Sequence, residues 1–191
     1  MSFYDDPENI KMYIKMCEGY DGLNIYESLN KHLPIKSTLL ELGSGAGLDI
    51  EYLKINYLVT GSDLSDEFLK ICKNKYPDIS FIKLNALNLK VSDKYDCIYS
   101  NKVLHHLTET ELKQSLYKQK KILTSNGLIA HSFWLGAEDK EMNGLLFTYY
   151  NKKHLLNILS ESFEVLSTLS YKEFDEDDSI FIIAKLKSNH V

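Results

Sequence analysis

Between Leu39 and Leu48 the chain reads LLELGSGAGL, an apolar run that ends in three glycines spaced by small residues. An apolar run this short, bounded by glycine, reads as a buried strand. Small residues behind it let the backbone turn tightly and let a ligand approach the main chain, because no bulky side chain intervenes. A glycine loop after a first strand belongs to nucleotide-binding α/β folds, so this stretch narrows the fold more than any other. The dinucleotide fingerprint G-x-G-x-x-G does not fit it, since its third glycine falls on Leu48. The spacing is instead E-x-G-x-G-x-G, with Glu41 two residues before Gly43.

The rest of the chain keeps the rhythm that such a loop requires. TLLEL, YLVTGSD, ISFIKL, KYDCIYS and GLIAHSFW read as strands. Helical patterns separate them: one through Ile50 and Leu53, SDEFLKICKNKY ended by Pro77, and TETELKQSLYKQKKIL capped by Thr108. NKKHLLNILSESF opens a further helix, and FEVLSTLSYKEF and SIFIIAKLK close the chain as an antiparallel pair. Ahead of Thr38, Pro7 starts one helix after Asp5 or Asp6, and Leu23, Tyr26, Leu29 and Leu33 mark a second, closed by Pro34. The alternation predicts a doubly wound, mostly parallel sheet with helices on both faces. Ligands in such sheets bind beyond the carboxyl ends of the strands, so the informative residues are those that follow strands.

With 191 residues, the chain is expected to form a single domain over 1–191: a helical cap at 1–36 and a core at 37–191. The formal net charge of −5 disfavours nucleic acid as a partner. Cys17, Cys72 and Cys97 are widely spaced and odd in number, which suggests neither a zinc site nor a disulfide framework and fits a cytoplasmic protein. The polar, acidic start is not a signal peptide, and no apolar run is long enough to span a membrane. The acidic run EFDEDD, Glu173 to Asp178, reads as a solvated turn between two strands.

Asp63 ends the second strand, twenty residues after Gly43, where a carboxylate can accept both ribose hydroxyls of an adenosine. Ser65 is the better cap for the helix that follows. Asn85 and Ala86 follow the third strand, where an amide or backbone can read an adenine edge; an Asn turn is the alternative.

Taken with the motifs ELGSGAG, GSDLS, LNALNL, YDCIYSNKVLHHL and GLIAHSFW, the chain from about Thr38 to its end resembles class I S-adenosylmethionine-dependent methyltransferases. The resemblance implies a seven-stranded Rossmann-like sheet of order 3-2-1-4-5-7-6 with its last strand antiparallel. It implies that Glu41, Gly43, Ser44, Gly45 and Gly47 line the methionine and ribose portion of S-adenosyl-L-methionine, and that Asp63 holds the ribose. Leu64 lies against the adenine, Asn85 and Ala86 take its edge, and Ser100 and Asn101 face the methionine arm. Many members carry Asp where this chain has Asn85. Tyr13 and Tyr20 of the cap are candidate cofactor contacts, packing of the cap being the other role open to them.

Transfer from an activated sulfonium needs alignment and desolvation first, and a base only where the acceptor must lose a proton. SNKVLHHL is where a base is expected: Val103, Leu104 and Leu107 face the core, leaving His105 and His106 off that face. Hydrogen bonds that merely orient the loop are the other role open to them. His131 or Trp134 on GLIAHSFW and Tyr149 on the segment Leu135–Tyr150, a candidate lid, are expected to line the acceptor pocket, with Phe147 and Tyr150 as further aromatic walls. No metal is predicted. The motif of amino-methylating nucleic-acid enzymes is missing after the fourth strand, which leaves a small-molecule acceptor, methylated at O or N, for a monomer or homodimer. Two other readings stay open at this point: a cofactor-binding module or regulatory partner without activity, and a dinucleotide-dependent oxidoreductase.

Overall fold

The apolar runs become the inner strands of one sheet, and each turns alternate residues to opposite faces. The computed structural model describes residues 3–187. In chain order the strands are β1 (Thr38–Leu42), β2 (Leu58–Asp63), β3 (Ser80–Lys83), β4 (Tyr95–Ser100), β5 (Leu123–Trp134), β6 (Lys140–Met142), β7 (Leu145–Phe147), β8 (Phe163–Tyr171) and β9 (Ser179–Leu186). The helices are α1 (Pro7–Met16), α2 (Leu23–Asn30), α3 (Ile50–Asn56), α4 (Asp66–Lys75), α5 (Glu109–Ile122) and α6 (Lys152–Ser160). The main sheet has seven strands in the order β3-β2-β1-β4-β5-β9-β8, and β6 and β7 form a separate hairpin. Only β9 runs against its neighbours, so the order is the expected one once the hairpin is left out of the count. This is the arrangement that the resemblance implied.

Period-two alternation divides the core. Leu40, Ile98, Ile129 and Ile182 face α5 and α6 with Leu112, Leu116, Leu155 and Leu159. Leu39, Cys97, Tyr99, Phe181 and Ile183 face the other way, against Ile25 and Leu29 of α2, Ile50 and Leu53 of α3, and Leu69 and Cys72 of α4. With both faces covered, the strands read as near-continuous apolar runs.

Local chemistry sets the element ends. Asp6 accepts the Glu8 amide and starts α1, with Pro7 in its first turn. Thr108 and Glu111 form a reciprocal capping box that starts α5. Three boundaries differ from expectation. α2 stops at Asn30, and Leu33 is buried from the turn beyond it. β5 begins at Leu123, taking the last residue expected of α5. The segment expected as a lid contains the β6–β7 hairpin, turned at Asn143 and Gly144, both at positive φ (54° and 73°). Asn-Gly suits that turn because both central residues need left-handed backbone.

One buried polar relay crosses the α5 face. The hydroxyl of Ser100 meets His131 Nδ1 at 2.8 Å, and His131 Nε2 meets Gln119 Oε1 at 2.8 Å. Gln119 donates to Ser115, whose hydroxyl donates to the Ala86 carbonyl at 2.6 Å. The relay therefore joins β4, β5, α5 and the turn after β3. His131 is 1% exposed, and burial holds its imidazole down at about 3, so it is neutral in the folded protein. The unfolded chain takes up a proton at His131 as pH falls below about 6.5 and the folded chain does not. Stability carried by this residue is therefore lost on acidification between about 6.5 and 3, with a slope of at most ~1.4 kcal/mol per pH unit. His131→Asn is expected to unfold more easily at pH 7 in urea. Its midpoint should also fall less steeply than wild type below pH 6.5, and parallel pH profiles would contradict the assignment.

Candidate functional site

The residues singled out from the sequence gather at the carboxyl ends of β1, β2 and β4. Gly43, Gly45 and Gly47 all lie at positive φ. A Cβ on Gly43 would stand 2.6 Å from Val103 Cγ2, so the loop can pack this closely on the turn after β4 only without a side chain. At Gly45 the nearest atoms are those of the Tyr13 ring, 3.6 Å from a built Cβ, which puts the N-terminal cap against the loop. Ser44 exchanges hydrogen bonds with the Ser62 backbone, and Cys72 of α4 and Tyr76 just beyond it donate to the carbonyls of Gly45 and Gly47. The loop is held from three sides, and the amides of Ser44, Gly45 and Gly47 donate to the Ser62 carbonyl, the Asp63 carboxylate and the Ser44 carbonyl.

Three carboxylates surround it. Glu41 is 2% exposed, and its Oε2 has no hydrogen-bond partner. Asp49, on the turn into α3, accepts from Tyr26 Oη at 2.5 Å and from Asn101 Nδ2 at 3.5 Å. Asp63 accepts from the amides of Gly45 and Ser65, each at 2.9 Å. Every one of these donors is neutral, and among the described residues no lysine or histidine forms an ion pair with Glu41, Asp49 or Asp63. Burial pushes the Glu41 carboxyl well above the usual carboxylate range, and the nearby charge of Asp49 adds to it. Burial also raises Asp49 and Asp63, against the opposing effect of their hydrogen bonds. Asp49 was missed in the sequence; it stands one residue beyond the quoted loop, where the spacing gives no sign that it turns back toward Asn101.

Asn101 links this rim to the neighbouring strand ends. Its Nδ2 donates to Tyr20 Oη at 2.7 Å, and its Oδ1 accepts from Ser132 at 2.6 Å. Beyond it, Leu104–His106 forms a 3₁₀ turn on which the β7 side of the hairpin docks. Thr148 N donates to the His105 carbonyl at 2.7 Å, and His106 Nδ1 donates to the Leu146 carbonyl at 2.7 Å. That bond leaves His106 Nε2 as the acceptor nitrogen. Burial lowers the His106 pKa, with the Leu146 carbonyl opposing, so the ring is neutral at physiological pH. Phe147 lies 4.8 Å from the His106 ring and 5.2 Å from that of His105. On the cap side, Tyr4 lies 6.4 Å from His106 and 5.6 Å from Tyr13. An aromatic arc thus runs from the glycine loop through Tyr13, Tyr4, His106 and Phe147 to His105, whose far neighbour is Trp134 at 6.5 Å.

Several expected residues stand elsewhere. His131 does not line a pocket; it is locked in the relay under the sheet. Ser100 is fully buried with its hydroxyl on His131, so only its backbone reaches the strand end. His105 lies inside rather than off the core face, 2% exposed, with neither ring nitrogen partnered. Tyr149 packs against Gly136 and under Lys140, and the ring that reaches the histidines is Phe147. The Asn85 oxygen is used in its own turn, accepting the Leu87 amide at 2.8 Å. Ala86 is tied through its carbonyl to Ser115, and Leu64 is 55% exposed beside Asp63. Among the described residues there is no His, Cys, Asp and Glu group able to hold a metal ion, and no helix long and apolar enough to cross a membrane.

Comparison with known proteins converges on one fold. Residues 39–127 match a family model described as a methyltransferase domain. A putative methyltransferase of a Geobacillus species is 31% identical over 98 residues, covering 48% of this chain and 40% of that protein. The chain spans 40 to 64% of the length of the first curated relatives it matches. A TehB-like S-adenosylmethionine-dependent methyltransferase from Corynebacterium glutamicum superposes with a TM-score of 0.76 at 17% identity, covering 95% of this chain and all of that one. The 1,6-didemethyltoxoflavin-N1-methyltransferase of Burkholderia thailandensis, solved with 1,6-didemethyltoxoflavin and S-adenosylhomocysteine, gives 0.74 at 17% identity over 85% of this chain and 76% of that one. Residues 39–127 therefore match the methyltransferase-domain model, and the chain has the Rossmann-like methyltransferase fold of these solved structures.

Proposed function

We propose that the chain binds S-adenosylmethionine at the β1–β2 edge and transfers its methyl group to oxygen or nitrogen of a small-molecule acceptor. The observation that carries this reading is the rim of Glu41, Asp49 and Asp63. Two buried carboxylates, Glu41 and Asp49, and the half-buried Asp63, all without a counter-charge, cost folding energy that a cationic ligand recovers. S-adenosylmethionine supplies a sulfonium-bound methyl group already activated for displacement. The residues fit such a ligand. Glu41 Oε2 is an unused buried acceptor beside the glycine loop. Asp63 keeps lone pairs for ribose hydroxyls after accepting two backbone amides. The resemblance assigns Leu64, Asn85 and Ala86 to the adenine. Asp49 and Asn101 supply oxygens at the methionine end, with Tyr13 and Tyr20 as cover.

The acceptor side is assigned to His106, His105, Phe147 and Trp134. His106 is the base: its tautomer is set by the Leu146 carbonyl, and its Nε2 takes a proton from an acceptor hydroxyl or ammonium. His105 offers two unpaired nitrogens for a hydrogen bond to the acceptor. Aromatic walls exclude water from the displacement and hold a flat acceptor in place. The Burkholderia neighbour, solved with bound 1,6-didemethyltoxoflavin, supports a small-molecule acceptor.

Calorimetric titration should show binding of S-adenosylmethionine and S-adenosylhomocysteine by the folded protein, and Asp63→Ala should weaken both at least tenfold, about 1.4 kcal/mol. No binding by wild type, or none lost in the variant, would contradict the reading. Asp49→Asn is expected to raise the melting temperature of the ligand-free protein at pH 7 while weakening S-adenosylmethionine binding. The sign follows from the raised Asp49 pKa: the folded state disfavours its charge at pH 7, and the advantage of Asn vanishes once both states are protonated at low pH. A variant less stable at pH 7 and unchanged in affinity would refute the charged-rim account. Once an acceptor is in hand, His106→Gln should lower kcat on the order of 100-fold with S-adenosylhomocysteine affinity kept, and an unchanged kcat would remove His106 as base.

A further inference from the structure

The acidic run after β8 is not merely a solvated turn. Residues 172–178 wind around Asp178, whose carboxylate accepts the amides of Glu173, Phe174 and Asp175, each at 2.9 Å, and the Ser179 hydroxyl at 2.7 Å. Glu173 is thereby carried inward. Its Oε2 lies 3.4 Å from Lys102 Nζ, and the two side chains are only 22% and 12% exposed. Phe174 stacks on Trp134 with ring centroids 5.6 Å apart and planes 14° from parallel.

Lys102 follows Asn101 directly and holds this assembly. Its Nζ sits 3.3 Å from the centre of the Trp134 ring and 5.4 Å from that of Tyr171. It donates to Ser179 Oγ at 2.6 Å and to the Phe133 carbonyl at 3.3 Å. Two ammonium hydrogens are thus engaged in hydrogen bonds, and Glu173 adds the opposite charge as an ion pair at 3.4 Å. The Lys102 backbone is left-handed (φ 53°), and its amide donates to Ser132 Oγ, the hydroxyl that also bonds Asn101. One residue thus ties the end of β4, the end of β5, the start of β9 and the acidic turn. Burying an ammonium is expensive, and a solvated lysine would join none of them.

We infer that Lys102 is a positioning residue: its ammonium, clasped by Trp134, Ser179 and Glu173, fixes the acidic turn and the Trp134–Phe174 stack as the outer wall of the acceptor side. The inference rests on the proposed reading of that edge, and it adds a specificity loop, residues 172–178, that the sequence had assigned to solvent. Because the clasp is ionic, it opens when Lys102 loses its proton. Burial holds the Lys102 pKa down at about 8, against the charges of Glu173 and Asp178. The other groups facing it are the Tyr171 ring and His105, the latter neutral because burial, then His106 and Lys102, depress its pKa.

Trp134 is the chain's single tryptophan, so its emission reads the clasp alone. The wild-type protein should show a transition in Trp134 emission and in acrylamide quenching with a midpoint near 8, quenching being greater above it. Lys102→Met should be strongly quenched at every pH with no midpoint. Lys102→Arg, charged throughout, should keep the protected state of wild type at low pH and lose the transition. Glu173→Gln should move the midpoint down. A Lys102→Met profile that matches wild type, an Arg variant as open as Met, or a wild type with no transition would each overturn the inference. Calorimetry with S-adenosylmethionine on the wild type separates the two readings. Binding without a fluorescence transition defeats the clasp alone, and a transition without binding defeats the proposed function and with it the role of the clasp as an acceptor wall.

Discussion

A carboxylate sealed at the end of a buried strand must be paired, neutralised or kept for a ligand, and Glu41 has no protein partner for Oε2. Much of the carboxyl edge follows from that constraint. Asp49 and Asp63 stand close enough to raise its pKa further, and their own hydrogen bonds come from neutral groups. The chain has no arginine, and Lys102, near this edge, spends its charge on Glu173 and Trp134. The rim is therefore left negative while the neighbouring wall is internally compensated. On the proposed reading, that division separates a half of the site that takes a cation from an aromatic half.

Rigid elements hold the two halves at a fixed separation. The glycine loop is pinned by Ser62, Cys72 and Tyr76, and the histidine turn by the hairpin through Leu146 and Thr148. Between them Asn101 contacts Tyr20 of the cap, Ser132 of β5 and Asp49 of the rim. A displacement reaction gains most from such placement, because alignment of donor and acceptor carries much of the barrier reduction. The Ser100–His131–Gln119–Ser115 relay serves the same end from below the sheet, fixing the Ala86 turn relative to β4.

The strand and helix order was legible because each strand is a short apolar run bounded by turn residues, and the glycine loop announces the first crossover. Asp63 and Asn101 were legible for a related reason: in a doubly wound sheet, position just past a strand predicts position at the ligand edge. What escaped were features decided by tertiary direction. The alternation of β5 correctly put His131 and Phe133 on one face, but not which face lies under α5, so a core histidine looked like a pocket residue. Asp49 and Lys102 owe their roles to partners 52 and 71 residues away (Asn101 and Glu173), and local spacing does not encode such pairings. The hairpin was readable in principle, since Asn143-Gly144 between short apolar stretches is a turn signal. The acidic run misled because its charges suggest solvent, whereas Asp178 spends its own on backbone amides that turn Glu173 inward.

The central claim is that the carboxylate rim is held for a cation, and proton release on binding tests it most directly. Burial raises the Glu41 and Asp49 carboxyls, so they hold their protons to higher pH than exposed carboxyls do, and a positive ligand drives those off. Titrating S-adenosylmethionine calorimetrically in buffers of different ionisation enthalpy should reveal net proton release. The release should be larger than with S-adenosylhomocysteine, which lacks the sulfonium charge. Binding with no buffer dependence, or equal proton release for the two ligands, would contradict the account.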